Sequence, residues 1–143
     1  MLLCKYYGAI IESRAWHVCK SFSLMQQPIT ELSGKSLGII GYGVLGQGVA
    51  RAAETLGLKI LVGESFANNN KSDEGVGRVA FDALLTESDF ISLHFPLTED
   101  TTELFDERAF EKMKSSAILI NTERRGLIDD HALIETLRHK TIA

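Results

Sequence analysis

Gly41, Gly43 and Gly46 stand in the spacing G-x-G-x-x-G, inside the stretch GIIGYGVLGQGVA, which holds five glycines in thirteen residues. Glycine loses more conformational freedom on folding than any other residue, so so dense a run marks backbone that something must approach closely. The spacing suits a diphosphate. The first glycine makes a tight turn, the second leaves bare backbone beside the pyrophosphate, and the third lets a helix pack closely on a strand. Val44 and Leu45 then fall in the first turn of a helix, where unpaired N–H groups and a partial positive charge favour phosphate. Gly48 is expected to extend the close packing. Glu64 ends the next apolar run, KILVGES, where a carboxylate accepts hydrogen bonds from ribose hydroxyls and repels a 2′-phosphate. NAD is the expected cofactor. Lys71 and Arg78 fall in the loop that follows and keep NADP open as a less favoured alternative.

The elements around these residues alternate. SLGIIG, KILVG, DFISLHF and AILIN read as short buried strands, with a strand end at the start of VAFDALLTES. Between them, VLGQGVARAAETLG places Val49, Ala52, Ala53 and Leu56 at helical spacing and stops at Gly57. The rest of VAFDALLTES reads as a helix. LFDERAFEKMK reads as another, with Asp106 as N-cap and Phe105 and Phe110 placed as a hydrophobic staple. DDHALIETLRHK carries acids in its first turn and bases in its last, as the helix dipole favours. Strands alternating with helices imply an α/β fold, a doubly wound parallel sheet of Rossmann type, with ligands outside the carboxyl ends of the strands. Residues 1–27 read as a helical or irregular lead-in and 28–143 as the cofactor-binding domain.

Composition narrows the class. The chain has 143 residues, 45% hydrophobic and 24% charged, with net charge −4. Those values suit a soluble globular domain, and the absence of a basic patch argues against a nucleic-acid partner. No apolar run is long enough for a membrane helix. No signal peptide is read at the start, and Cys4 and Cys19 fit neither a CxxC nor a zinc pattern, so a reducing cytoplasm is the expected location. The four histidines are scattered, and no metal site is expected.

Three stretches go further: ELSGKSLGIIGYGVLGQGVA, DFISLHFPLTEDT and INTERRGLIDDHAL. Together they resemble the D-isomer-specific 2-hydroxyacid dehydrogenases, and most of all the glycerate dehydrogenase/hydroxypyruvate reductase branch. The resemblance runs from about Pro28 to the C-terminus. It implies NAD-dependent oxidation of a short 2-hydroxy acid, or reduction of the 2-keto acid. It implies that Pro96, in the stretch from His94 to Thr98, lines the adenosine side of the cofactor, and that Thr101 and Thr122 also meet the cofactor. Thr101 is expected to cap the next helical turn as well. His94 reads as structural, because the family's catalytic histidine belongs to a later segment. Arg124 falls on the family's substrate-binding arginine, whose guanidinium can grip a 2-keto acid carboxylate through two parallel hydrogen bonds. A methyltransferase, which also uses a Gly-rich turn followed by an acid, is a remote alternative given these stretches.

The family pattern N-x-x-R-G-G-x-x-D is met here by Asn121 to Asp129 with Arg125 in place of a glycine. If that backbone needed a left-handed conformation, the change would cost about 1–2 kcal/mol and could turn Arg124 away. Lys140 similarly replaces a glycine, and Val44 is apolar where the family tends to be polar or small. Family members continue beyond the point where this sequence ends, into a strand with an aspartate, then a glutamate and the histidine that moves the proton. The expectation is therefore a C-terminally truncated core that needs another chain for turnover, or a truncated module that binds NAD or pairs with a longer relative without catalysing. The resemblance also implies a homodimer. Loss of further strands would leave AILIN as an unpaired edge prone to self-association.

Overall fold

Among the described residues, five parallel strands form one sheet: β1 (Ser36–Ile40), β2 (Lys59–Gly63), β3 (Arg78–Val79), β4 (Phe90–Leu93) and β5 (Ile118–Asn121). Their order is β3-β2-β1-β4-β5. The chain thus runs outward from β1 to one side and then returns to build the other, which makes β1 and β4 the point of reversal. Among the described residues, four helices connect or follow the strands: α1 (Val44–Thr55), α2 (Phe81–Glu87), α3 (Glu107–Lys112) and α4 (Asp130–His139). Short 3-10 turns occupy Glu99–Thr101 and Arg125–Leu127. This computed structural model describes residues 8, 10–14, 17, 31–66, 77–139, 141 and 142. The chain divides into two compact units, 1–30 and 31–143, and the sheet belongs to the second. The lead-in expected over 1–27 lies largely outside the described residues, as do Cys4, Cys19, Lys71 and Lys140.

Helices cover both faces. On one face α1 buries Gly46, Ala50 and Ala53 against Leu37 and Ile39 of β1. The helical spacing expected for Ala52 and Leu56 is off by a residue: Ala52 is exposed and Leu56 is 58% exposed. Small side chains won the inner stripe because the helix lies tightly on the strand. Its end follows expectation. Gly57 (φ 82°) ends the helix, with its N–H on the Glu54 carbonyl and the Leu58 N–H reaching back to Ala53, a Schellman pair. On the other face α2, α3 and α4 pack with Ile40, Ile91 and Leu93 into the larger core, which includes Phe105 and Phe110. Asp106 caps α3 by accepting from the Ala109 N–H (2.9 Å), and the Phe105 and Phe110 rings meet at 6.2 Å as a staple requires. Arg78 stands in β3 rather than in a loop, because its strand pairs with β2 at Val62 and Gly63.

Register aligns the carboxyl ends. Ile40 lies beside Leu93, and Leu93 beside Asn121. The turns that leave β1, β4 and β5 therefore rise from one edge of the sheet. β5 is the outermost described strand on its side, and Ile118 and Ile120 are 42% and 41% exposed.

Candidate functional site

A cleft of about 220 Å³ opens at that edge, over the reversal between β1 and β4. Gly41, Tyr42 and Gly43 form one wall, Glu64, Ser65 and Phe66 a second, and His94, Phe95, Pro96, Thr98 and Thr101 the third. Each glycine of the turn has its own reason. Gly41 has φ 91°, and a Cβ there would stand 2.2 Å from the His94 carbonyl oxygen. A Cβ at Gly46 would stand 2.1 Å from the Gly41 carbonyl oxygen, so α1 lies on β1 only without it. Among the described residues, a Cβ at Gly43 would meet nothing within 4 Å. Packing does not demand a glycine at Gly43, so its bare backbone leaves room for something other than protein. Gly48 also faces open space, which corrects the expectation that it extends the close packing.

The start of α1 is left open to that room. No side chain caps it, and the first helical bond runs from the Gln47 N–H to the Gly43 carbonyl. The amides of Val44, Leu45 and Gly46 precede that bond, as the orphan donors of a helix start do. The side chains of Val44 and Leu45 point to solvent, 87% and 68% exposed. Across the cleft the Glu64 carboxylate accepts from the Phe81 N–H at 2.9 Å, which fixes it at the end of β2. Beneath, Phe66 packs on Phe95 and edge-on to Phe81, with ring centroids 5.9 and 5.8 Å apart, giving the cleft an aromatic floor. An apolar floor between an acid and a helix start suits a flat base attached to a ribose and a diphosphate.

The third wall is braced from within. The Thr101 hydroxyl donates to the Pro96 carbonyl (3.0 Å) and accepts from the Thr98 N–H (2.7 Å), closing a capping box with Thr98. Its hydroxyl is thereby committed to the loop, so Thr101 shapes the wall and holds Pro96. His94 bonds Ser92 Oγ through Nε2 at 2.8 Å. Burial holds its pKa below the ordinary histidine value, against the pull of the nearby Glu123 charge. A ring so tied agrees with a structural histidine.

After β5, Asn121 shapes the next turn. Its Oδ1 accepts from the Glu123 N–H (2.9 Å) and its Nδ2 donates to the Arg124 carbonyl (3.1 Å). Thr122 and Arg124 are exposed on this turn and do not line the cleft. The turn is nonetheless held beside it. The Glu103 N–H donates to the Gly126 carbonyl (2.8 Å) and the Phe105 N–H to the Leu127 carbonyl (3.1 Å). Gly126 lies against Leu97, where a Cβ would come within 3.0 Å. Arg125 does not sit at positive φ, so its replacement of a glycine costs no left-handed strain. Its guanidinium pairs instead with the Asp130 carboxylate on the surface, which raises the Arg125 pKa and lowers that of Asp130.

A larger hollow of about 710 Å³ lies between α3 and α4, with Glu107, Glu111 and Glu135 on its walls. It contains no residue of the glycine turn, and volume alone does not make it the site. Among the described residues no cluster of His, Cys, Asp or Glu could hold a metal, and no helix is long and apolar enough to cross a membrane.

The chain matches the family model for the NAD binding domain of D-isomer specific 2-hydroxyacid dehydrogenases over residues 1–143. It belongs to that family. It is 42% identical over 136 residues to a glycerate dehydrogenase of Methylorubrum extorquens, covering 95% of this chain and 41% of the relative. The structure of Salmonella D-lactate dehydrogenase superposes with a TM-score of 0.76 at 34% identity, covering 96% of this chain and 41% of that one. A D-isomer specific 2-hydroxyacid dehydrogenase from Lactobacillus delbrueckii ssp. bulgaricus, solved in an NAD complexed form, gives 0.72 at 34% identity, covering 86% and 38%. The chain thus spans about two fifths of the length of these relatives.

Within this NAD-binding domain, the structure brings Gly41, Gly43, Glu64, Pro96 and Thr101 to one cleft, with Gly46 beneath and Val44 and Leu45 at its rim. Thr122 and Arg124 stand apart on the β5 turn. Phe66 and Tyr42 also line the cleft and carry no signal in the motif. Phe66 follows Glu64 by two residues, and that spacing alone could have pointed to it. Asn121, the brace of the Arg124 turn, opens the matched pattern but reads from sequence as a strand end.

Proposed function

We propose that the chain holds NAD for a dehydrogenase acting on a short 2-hydroxy or 2-keto acid. The carrying observation is the Gly43 backbone, which faces open space beside an uncapped helix start and across from a fixed carboxylate. The amides of Val44, Leu45 and Gly46 would take the pyrophosphate, and Glu64 the adenosine ribose. Pro96 and Phe66 would border the base, with Thr101 stiffening that wall, and Thr122 would border the cofactor from the β5 turn. NAD(H), when bound, carries the hydride that interconverts the hydroxy acid and the keto acid. Arg124 would grip the substrate carboxylate; its side chain has no partner among the described residues, which leaves its donors for such a ligand. We place the assembly in the cytoplasm.

A second reading is a cofactor-binding or subunit-pairing module without turnover of its own, as a homodimer or with a longer relative. The exposed Ile118 and Ile120 on the outermost strand favour it. Fluorescence titration with NADH, repeated with glyoxylate and with hydroxypyruvate, separates the two. Tighter NADH binding with a keto acid, lost in Arg124→Ala, supports the dehydrogenase site. NADH binding indifferent to both acids, in a chain that sediments as a dimer, supports the pairing module.

A further inference from the structure

The hollow of about 710 Å³ between α3 and α4 is lined by four carboxylates and, among the described residues, by no lysine or arginine. Its floor is apolar, made by the buried Phe110, Met113 and Ala132. Two of the carboxylates are already engaged. Asp129 caps α4, accepting from the His131 N–H at 2.8 Å, and Glu135 pairs with Arg138 at 2.7 Å. The other two are not. Glu107 and Glu111 stand one turn apart on α3, and neither has an ion pair or a side-chain hydrogen bond among the described residues. Like charges at that spacing repel, and Glu111 lies in the last turn of α3, where the helix dipole disfavours an acid. The neighbouring Lys112 is bound to Asp82 of α2 instead.

A second feature comes from the opposite wall. Thr136 of α4 lines the hollow, is 8% exposed, and follows Ala132 by one turn on the same buried face. Its hydroxyl has no hydrogen-bond partner among the described residues; the Thr141 hydroxyl donates to the Thr136 carbonyl (3.1 Å) and not to the hydroxyl. The Thr136 hydroxyl is nonetheless not sealed off as that of Ser88 is. A polar side chain more than nine-tenths buried and left unpaired costs stability unless something in the hollow bonds it.

These features select the form of a cation. The carboxylates do not converge, and no cluster among the described residues could hold a metal ion. Charges spread along an apolar floor suit a ligand whose own charges are spaced by methylenes, which lie on apolar surface while the charged ends reach polar groups. We infer that the hollow binds a linear aliphatic polyammonium ion, with its ammonium groups donating to Glu107, Glu111 and the Thr136 hydroxyl and its methylenes on Phe110 and Met113. A lysine-rich peptide carries the same chemistry on a bulkier chain, but a hollow of this volume is sized for a small molecule. The site shares no residue with the cofactor cleft and stands independently of it.

The test is calorimetric titration of the whole chain at low salt with spermidine, with Mg²⁺ and with tetralysine. The forms are wild type, the Glu107→Gln/Glu111→Gln double variant, Thr136→Val and, as a distant control on α1, Glu54→Gln. Saturable binding of one spermidine per chain is expected in wild type and in Glu54→Gln, with no comparable binding of Mg²⁺. The double variant should bind spermidine at least about tenfold more weakly, since it loses two charge-assisted bonds. Thr136→Val removes only the hydroxyl; it should bind at least about threefold more weakly and melt no lower than wild type. The inference is overturned if folded wild type takes up no spermidine, or if Mg²⁺ binds as tightly, which would make the effect general counterion attraction. It is also overturned if the double variant or Thr136→Val keeps wild-type affinity. Binding of tetralysine without binding of spermidine would overturn it too, and make the hollow a groove for a basic chain.

Discussion

The two ends of the sheet are built on opposite rules. At the carboxyl end, side chains are withheld: Gly41, Gly43 and Gly46 leave a helix start open and a cleft above β1 and β4. At the amino end, side chains tie the strands together. Asp89, just before β4, accepts from the Ser36 N–H (2.9 Å) and the Ser36 hydroxyl (3.0 Å), and Lys114 Nζ lies 3.1 Å from its other oxygen. Its backbone joins the same strands, donating to the Ser36 carbonyl and accepting from the Ile118 N–H. The lesson is a division of labour. One end holds β1, β4 and β5 in register, and that rigidity lets the other end keep an open site.

Substitutions should separate the two ends. The largest loss is expected from Gly41→Ala, which forces a side chain onto the His94 carbonyl at φ 91° and should destabilise by about 3 kcal/mol. Denaturant unfolding measures it, and an alanine tolerated without loss would contradict the tight turn. Next comes Asp89. The Ser36 backbone N–H, ahead of opposing burial and the further help of Lys114 and the Ser36 hydroxyl, lowers its pKa to about 2. A folded pKa below the unfolded one means stability that is present above the unfolded value and lost as pH falls towards the folded one. About 2 kcal/mol should therefore disappear between roughly pH 5 and pH 2. In Asp89→Asn that acid dependence should flatten while NADH affinity at neutral pH stays the same. Ser88, also at the amino end, has a fully buried hydroxyl without a partner among the described residues, pressed against Gly38. Ser88→Ala should raise stability by about 1 kcal/mol, seen as a higher melting temperature; a lower one would reveal a partner for the hydroxyl. The smallest effect is expected from Arg125→Gly. Its pair with Asp130 is exposed, and its backbone needs no glycine, so the melting temperature should hardly move.

Legibility in the sequence followed the same division. The glycine turn, Glu64 and the strand–helix alternation read directly, because backbone room and period leave a local mark. The stripe of α1 did not, since Ala52 and Ala53 are alike in composition and only the sheet decides which faces inward. Arg78 was read as loop because a two-residue strand has no periodicity of its own. Gly38 shows the limit from the other side. It sits in the same glycine run but serves α2, with Leu84 and Ser88 occupying the place of a Cβ. No local pattern announces a contact with a helix so far along the chain. Arg125 taught a similar lesson: its worth depended on φ, which a family pattern implies and a sequence does not state.

The central claim is that the space above Gly43 belongs to NAD. The most direct test is a fluorescence titration of wild type and Gly43→Val with NADH, with circular dichroism and melting run on both. A Cβ at Gly43 meets no atom of the described residues within 4 Å, so the variant should fold and melt like wild type. Its NADH affinity should fall by at least about tenfold, as expected when side-chain atoms enter space reserved for a pyrophosphate. Equal affinity in the two proteins, or no binding by a folded wild type, would contradict the account.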